Sequence, residues 1–240
     1  LGLNGAGDSV ALLRDLLREK NIECLCNTRT LKVERNAVEV EQLDENGVVI
    51  KKATLPSNLT MLIPPFEGKD IWKKVAGLTD SKGLVLVNEY QQSPMFRNIF
   101  AVGVAVSIPQ TIKTVLPTGV PKTGYLIESQ GTAAVKNIKT LMGADVDEIP
   151  PLHSRALLNA LCITDFGDDG AIFVTMPQLP PRRFDLTIHS KLATLAKIAF
   201  EKYFLFKVET GDTDPYYEKY MLKLIGLERT AEDKKELSKL

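Results

Sequence analysis

The 240-residue sequence is poor in the side chains that most often hold metal ions, with three cysteines and two histidines. Three is an odd number, so a fully paired disulfide framework is not expected, and a reducing compartment fits better. An excess of either charge is also missing, since thirty basic residues balance thirty acidic ones. A nucleic-acid binder usually carries a basic surplus, so that class starts low. No uncharged apolar run reaches about 18 residues, the length an ordinary membrane-crossing helix needs. The first residue is Leu1, and no basic segment, apolar core and small-residue cleavage site follow it, so no signal peptide is expected. No internal repeat is found. What remains is 44% hydrophobic and 25% charged, an ordinary globular composition. The length admits one large domain or two small ones.

The chain enters a helical pattern almost at once. Leu12, Leu13, Leu16 and Leu17 recur at helical spacing, with Asp8 or Ser9 as N-cap. A helix this close to the start usually follows a strand, so the chain is expected to be a piece of something longer. Gly2, Gly5 and Gly7 miss the G-x-G-x-x-G spacing, and a tight turn before a helix explains them as well. A short strand is expected at 21–26. Val38, Val40 and Leu43 alternate with polar residues, and Val48 and Ile50 resume after Asn46-Gly47, which predicts a hairpin. Met61 to Ile63 reads as a buried strand stopped by Pro64-Pro65, and Gly83 to Val87 and Asn98 to Val104 as two more. A helix is expected over 122–142, strands at 156–163 and 171–176, and helices near 189–208 and 215–226.

The apolar run ending at Gly103, followed by a proline-rich loop and a helix opening at Lys122-Thr123-Gly124, is the arrangement with most chemical content. A helix N-terminus presents unpaired N–H groups and partial positive charge, which suits an anionic or electron-rich ligand. An ordinary capped helix after a proline-shaped connection fits the same residues.

Cys162 sits in an apolar strand-like run, where an inert buried thiol is the commoner fate. A nucleophilic thiolate needs a lowered pKa, and no His or Lys is adjacent in sequence. Cys24 and Cys26 form a C-x-C without the third and fourth ligands of a metal site, so they are read as packing residues and no metal site is assigned. His153 and His189 are assigned no role. Between His189 and Val208 the apolar side chains spread around most of the helix, interrupted by Lys191, Lys197, Lys202 and Lys207. Arg182 to Lys207 holds six basic residues against Asp185 and Glu201. Such a helix either packs on several sides or lies in a lipid surface with its lysines snorkelling.

Several stretches together resemble the sulfide:quinone oxidoreductases, FAD-dependent flavoproteins of the disulfide-reductase-like superfamily. They are Asn98-Ile-Phe-Ala-Val-Gly-Val-Ala-Val-Ser-Ile-Pro109, Pro117-Thr-Gly-Val-Pro-Lys-Thr-Gly-Tyr-Leu-Ile-Glu128, Leu161-Cys-Ile-Thr-Asp-Phe-Gly167, Leu179-Pro-Pro-Arg182 and Ala199-Phe-Glu-Lys-Tyr-Phe204. The resemblance runs from about Leu1 to about Leu227 and suggests the C-terminal part of such an enzyme. It implies an α/β fold of incomplete FAD/NAD(P)-binding Rossmann-like domains with a C-terminal amphipathic helical region. Residues 1–95 would be part of a second dinucleotide-binding-like domain and 96–148 the closing segment of the FAD domain. Residues 149–240 would be the redox-cysteine and membrane- and quinone-binding region.

The resemblance further implies that sulfide sulfur is taken up on a pair of cysteines flanking FAD and that two electrons pass to a membrane quinone. Cys162 would be the catalytic C-terminal member of the pair. Gly103, Val104, Lys122, Thr123 and Gly124 would border the flavin, and Leu161, Phe200, Tyr203 and Phe204 the quinone. Val104 stands where related reductases commonly carry an acidic residue, a departure this family shares. The expected partners are sulfide, quinone and a membrane surface, with no nucleic acid and with homo-oligomerisation open. The expected place is peripheral to a cytoplasmic membrane. The chain by itself is expected to be inactive and not to retain FAD, because the partner cysteine and the adenylate loop are not in it. Two rivals remain: a type II NADH:quinone reductase-like flavoprotein, which would not need Cys162, and a non-catalytic membrane-binding fragment.

Overall fold

The computed structural model describes residues 8–110, 113–144, 150–213 and 215–232, leaving aside the side chains of Tyr216 and Lys219. The chain divides into two units. One comprises Leu1–Ser9, Glu67–Ser107 and Pro121–Leu240, and the other Val10–Phe66 with Ile108–Val120.

In the smaller unit, helix α1 (Ser9–Glu19) buries Leu16 and half-buries Leu12, Leu13 and Leu17, the stripe expected from their spacing. An antiparallel sheet follows, ordered β1 (Thr28–Val33), β2 (Ala37–Leu43), β3 (Val49–Pro56). The hairpin between β2 and β3 is the expected one. The Asp44 carboxylate accepts from the N–H groups of Asn46 and Val48, and Gly47 takes φ +82°. The strand expected at 21–26 is absent, and pairing starts at Thr28 instead. β1 alternates too weakly to be read from sequence. It is an edge strand held by β2, where Arg29 reaches the buried Glu41.

Two other expectations fail here. Met61 to Ile63 forms no strand and is exposed, Met61 to 82%. No neighbouring strand pairs with the run, and Pro64-Pro65 cannot donate to a ladder. Cys24 and Cys26 are not packing residues. Both are exposed, with their sulfurs 3.9 Å apart.

In the larger unit a single helical turn, α2 (Asp70–Lys73), precedes a long irregular stretch. The strands expected at 83–87 and 98–104 shrink to isolated bridges. Val85 pairs with Thr79 and Val106, and Phe100 with Gln92. Helix α3 (Gly124–Met142) buries Leu126, Ser129, Gln130, Ala133, Ala134 and Asn137. The Asn137 amide fastens it to neighbouring backbone, donating to Tyr90 O and Ser154 O and accepting from Ser154 N.

A second antiparallel sheet follows, ordered β4 (Ala160–Asp165), β5 (Gly170–Met176), β6 (Phe184–His189). The first two strands were expected. β6 was hidden behind Pro180-Pro181, although Phe184, Leu186 and Ile188 alternate. Helices α4 (Leu192–Thr210) and α5 (Tyr216–Leu224) complete the unit. The described strands therefore make two small antiparallel sheets in a mixed helix-and-sheet fold.

Directly paired residues share a face of a sheet. Ala160, Cys162, Phe173 and Thr175 therefore lie on one face, with Ala160, Phe173 and Thr175 almost fully buried. Leu161, Ile163, Ile172 and Val174 lie on the other. The first turn of α4 meets that second face, since a Cβ on Gly170 would fall 2.9 Å from Ala193 Cβ and 2.4 Å from Thr164 O. Neither neighbour is a flexible tip. Gly170→Ala is expected to cost about 1–3 kcal/mol through overpacking, measurable as a lower urea midpoint with unchanged slope. A variant as stable as the parent would show that α4 does not seat there.

Candidate functional site

Three structural features bring the candidate residues into definite surroundings within the larger unit. The first is the turn at Gly103 and the start of α3. Gly103–Ala105 form a 3-10 turn, and Gly103 adopts φ +68°, open to glycine at little cost. Its N–H donates to the buried Gln130 Oε1 at 2.8 Å, and a Cβ there would crowd Ile127 at 3.2 Å. Glycine thus lets this turn lie directly against α3. The adjoining strip is held on two sides. Val85 exchanges backbone hydrogen bonds with Ala105 and Ser107, and Lys122 Nζ donates to Val104 O at 2.9 Å and Val106 O at 2.5 Å. Burial lowers the Lys122 pKa, opposed by the charge of Asp80. Burial raises the Asp80 carboxyl pKa, but hydrogen bonds from Ser107, Leu84 and Lys82 together outweigh it and hold the group below its ordinary value.

Thr123 caps α3, its hydroxyl accepting from the Leu126 N–H at 3.4 Å. At Gly124 a Cβ would meet nothing within 4 Å beyond its chain neighbours and the backbone of its own helix. The helix therefore opens on free space beside first-turn N–H groups that have no partner inside the helix. Val104 is 44% exposed. Open space at a helix start, next to a pinned backbone strip, could take the edge of an anionic or electron-rich ligand.

The second feature is Cys162. It lies on the edge strand β4, half-buried, opposite the buried Phe173. Burial pushes its thiol pKa up, and the Thr164 hydroxyl and the Lys197 charge only partly oppose this. Lys197 reaches from α4, its Nζ 3.5 Å from Ile163 O. The sequence showed no cation beside Cys162; the fold brings one 35 positions away in the chain. Gln178, fully buried just after β5, links this sheet to the α3 start. Its N–H donates to Leu158 O and its Nε2 to Pro121 O, both at 2.6 Å. Sequence reasoning missed Gln178. Its signal, a glutamine inside Met-Pro-Gln-Leu-Pro-Pro, is weak without a structure.

The third feature is the pair α4–α5. Phe200 and Phe204 stack with centroids 6.4 Å apart, both about half exposed. Leu192, Leu195, Ile198, Leu205, Phe206 and Val208 are exposed too. Tyr203 faces inward, its hydroxyl donating to Glu218 and its ring edge-on to Tyr217 at 6.1 Å. Leu161 lies on the opposite sheet face from Cys162. The structure thus places Leu161 on the face where α4 is seated, and Tyr203 apart from the exposed Phe200 and Phe204 in its contacts.

Sequence reasoning missed a set of charges in which Lys207 and Arg229 are buried, Glu218 is nearly so and Glu128 is partly exposed. Arg229 bonds Glu128 and Glu218, and Lys207 lies 2.9 Å from Glu218 and 3.7 Å from Glu128. Two cations and two anions from α3, α4, α5 and the chain after α5 cancel. Only the packed helices bring Lys207, Glu218 and Arg229 together.

Among the described residues no cluster could hold a metal ion, and no helix is long and apolar enough to cross a membrane. No family model matches the chain. The sequence is 37% identical over 227 residues to a sulfide-quinone reductase of Aquifex aeolicus, covering 93% of this chain and 50% of that protein. The X-ray structure of the sulfide:quinone oxidoreductase from the same hyperthermophilic bacterium aligns with a TM-score of 0.84 at 35% identity, covering 95% of this chain and 52% of that one. The chain spans about half the length of the relatives it matches.

Proposed function

We propose that this chain, similar along nearly its whole length to half of a sulfide:quinone oxidoreductase, supplies one wall of that enzyme's FAD site, its C-terminal redox cysteine and its quinone-side helices. The observation that carries this is the match at 35–37% identity with a common fold, in the sequence and in the structure alike. The open start of α3 and the half-buried thiol on β4 add chemical support. The parent reaction would take two electrons from sulfide and give them to a quinone. In the domain terms of the resemblance, residues 1–95 would complete a dinucleotide-binding-like domain and 96–148 the FAD domain.

When bound, FAD would accept the two electrons from sulfur and release them to the quinone. The residues of this chain bind and orient. Thr123 and Gly124 offer the positive end of α3 to the ring edge where reduction places negative charge. Val104 presents backbone to it. Lys122 acts through Val104 and Val106, keeping their carbonyls fixed. Cys162 would carry sulfide sulfur, and Lys197 would favour its thiolate. Leu161, Phe200 and Phe204 would border the quinone ring, with Tyr203 holding α4 in place through Glu218.

The exposed apolar residues of α4, with the exposed Lys191, Lys197 and Lys202, support seating on an anionic lipid surface, while Lys207 is buried and paired rather than snorkelling. Co-sedimentation should show binding to vesicles containing phosphatidylglycerol and weaker binding to neutral phosphatidylcholine. Leu195→Glu with Leu205→Glu should reduce binding about 100-fold or more, since each exposed leucine is worth about 1.5 kcal/mol when buried. Equal binding by the parent and the double variant would remove α4 as the anchor.

A further inference from the structure

Cys24 and Cys26 have no part in the reading above and lie in the smaller unit. Their sulfurs are 3.9 Å apart, and both residues are exposed. Residues 22–25 lie in no helix or strand, so no ladder fixes their torsions. The segment is anchored just beyond the pair, where Cys26 O accepts from the Thr28 hydroxyl at 3.0 Å. Two ligands do not make a zinc site, and no third ligand gathers there among the described residues. Two exposed thiols in mutual contact instead suit exchange with disulfides on the alkaline side, since burial and the neighbouring Cys26 raise the Cys24 pKa.

We propose that Cys24 and Cys26 form a surface dithiol that reduces small disulfides and closes to an internal Cys24–Cys26 disulfide. One thiolate attacks a sulfur of R–S–S–R. The S–S bond breaks, R–S⁻ leaves, and a mixed disulfide forms on the protein. The second thiolate attacks the protein-bound sulfur of that mixed disulfide, and a second R–S⁻ leaves as the Cys24–Cys26 bond forms. The two protein thiols give up two protons, which the two leaving thiolates take. Two electrons pass from the protein sulfurs to the small disulfide. The geometry allows closure, because residues two apart lie at most about 7 Å apart between Cα atoms. That is the edge of the disulfide range, and the fold already holds the two sulfurs in contact at 3.9 Å.

The test uses oxidised glutathione and the whole chain. Trypsin releases residues 21–29 with both cysteines and leaves Cys162 on another peptide. After equilibration with glutathione buffers and acid quench, that peptide should lose two hydrogens, resist alkylation at both sulfurs and show a single two-electron transition. Cys24→Ser and Cys26→Ser should each stop at one glutathione adduct. The equilibrium constant for closure should exceed that of the synthetic 21–29 peptide by about tenfold, the gain from holding the sulfurs together. Three results would overturn the proposal: a stable glutathione adduct on the unaltered chain, disulfide-linked dimers in its place, or a constant equal to that of the free peptide.

Discussion

In the proposed longer enzyme, Cys162→Ser should lower sulfide-dependent quinone reduction about a thousandfold or more, as loss of a covalent nucleophile does elsewhere. The alcohol is nearly the size of the thiol but does not ionise in the working range and cannot carry sulfur. The site sits half-buried opposite Phe173, with Thr164 able to hydrogen-bond a hydroxyl, so the fold should survive. Reduction of quinone after chemical reduction of the flavin should be unchanged, which separates loss of the sulfur step from loss of the fold. Burial raises the Cys162 pKa above its ordinary value of 9.0. Thiolate should therefore form on the alkaline side, and alkylation of Cys162 should quicken with pH well past neutrality. Lys197→Met removes an opposing charge and should move that profile further up. A profile that stays in place would mean that Lys197 does not act on Cys162.

Arg229→Met should destabilise the larger unit by about 3 kcal/mol, because it leaves Glu218 and Glu128 facing Lys207 alone in a buried setting. For a protein of this size that lowers Tm by about 6–12 °C. Glu218 is 12% exposed in its side chain, so water does little to replace the partner it loses, whereas Glu128, at 35%, is partly rehydrated. Pairing the change with Glu218→Gln should recover part of the loss, since the unmatched charge goes with it.

The pH dependence has two edges. Burial pushes the Glu218 carboxyl up, but its bonds to Tyr203 and Lys207 and the Arg229 charge prevail and hold it below its ordinary 4.5. Its contribution is complete above that value and is lost as pH falls through the lowered one. Burial and the bond to Glu218 raise Tyr203 above its ordinary 10.0, so its contribution is present below 10.0 and is lost as pH climbs through the raised value. In Arg229→Met the acid edge should move up. Chemical denaturation across pH measures both edges, and an unmoved acid edge would mean that Arg229 does not act on Glu218.

The helices were legible because their signals are local. Leu126, Ala133, Ala134 and Ile138 repeat at helical spacing, and Thr123 and Gly143 bracket the helix they define. The hairpin was legible through Asn46-Gly47. Strands whose own alternation is weak were not, such as the edge strand β1, which β2 holds, while Met61 to Ile63 is apolar but pairs with no strand among the described residues. The redox role proposed for Cys162 rests on the resemblance, since composition alone favoured an inert thiol. Its cation Lys197, the linking Gln178 and the Glu128–Lys207–Glu218–Arg229 set were beyond reach, because chain separations of up to 101 residues carry no periodic signal. Cys24 and Cys26 were misread because alternation says which side two residues share, and not whether anything covers that side.

The most direct measurement is anaerobic mixing of sulfide with the proposed longer flavoprotein, followed by the flavin's visible absorbance. The account predicts rapid bleaching by sulfide in the unaltered protein, recovery on adding quinone, and no bleaching in Cys162→Ser. Bleaching by NADH in both proteins with no response to sulfide would contradict it.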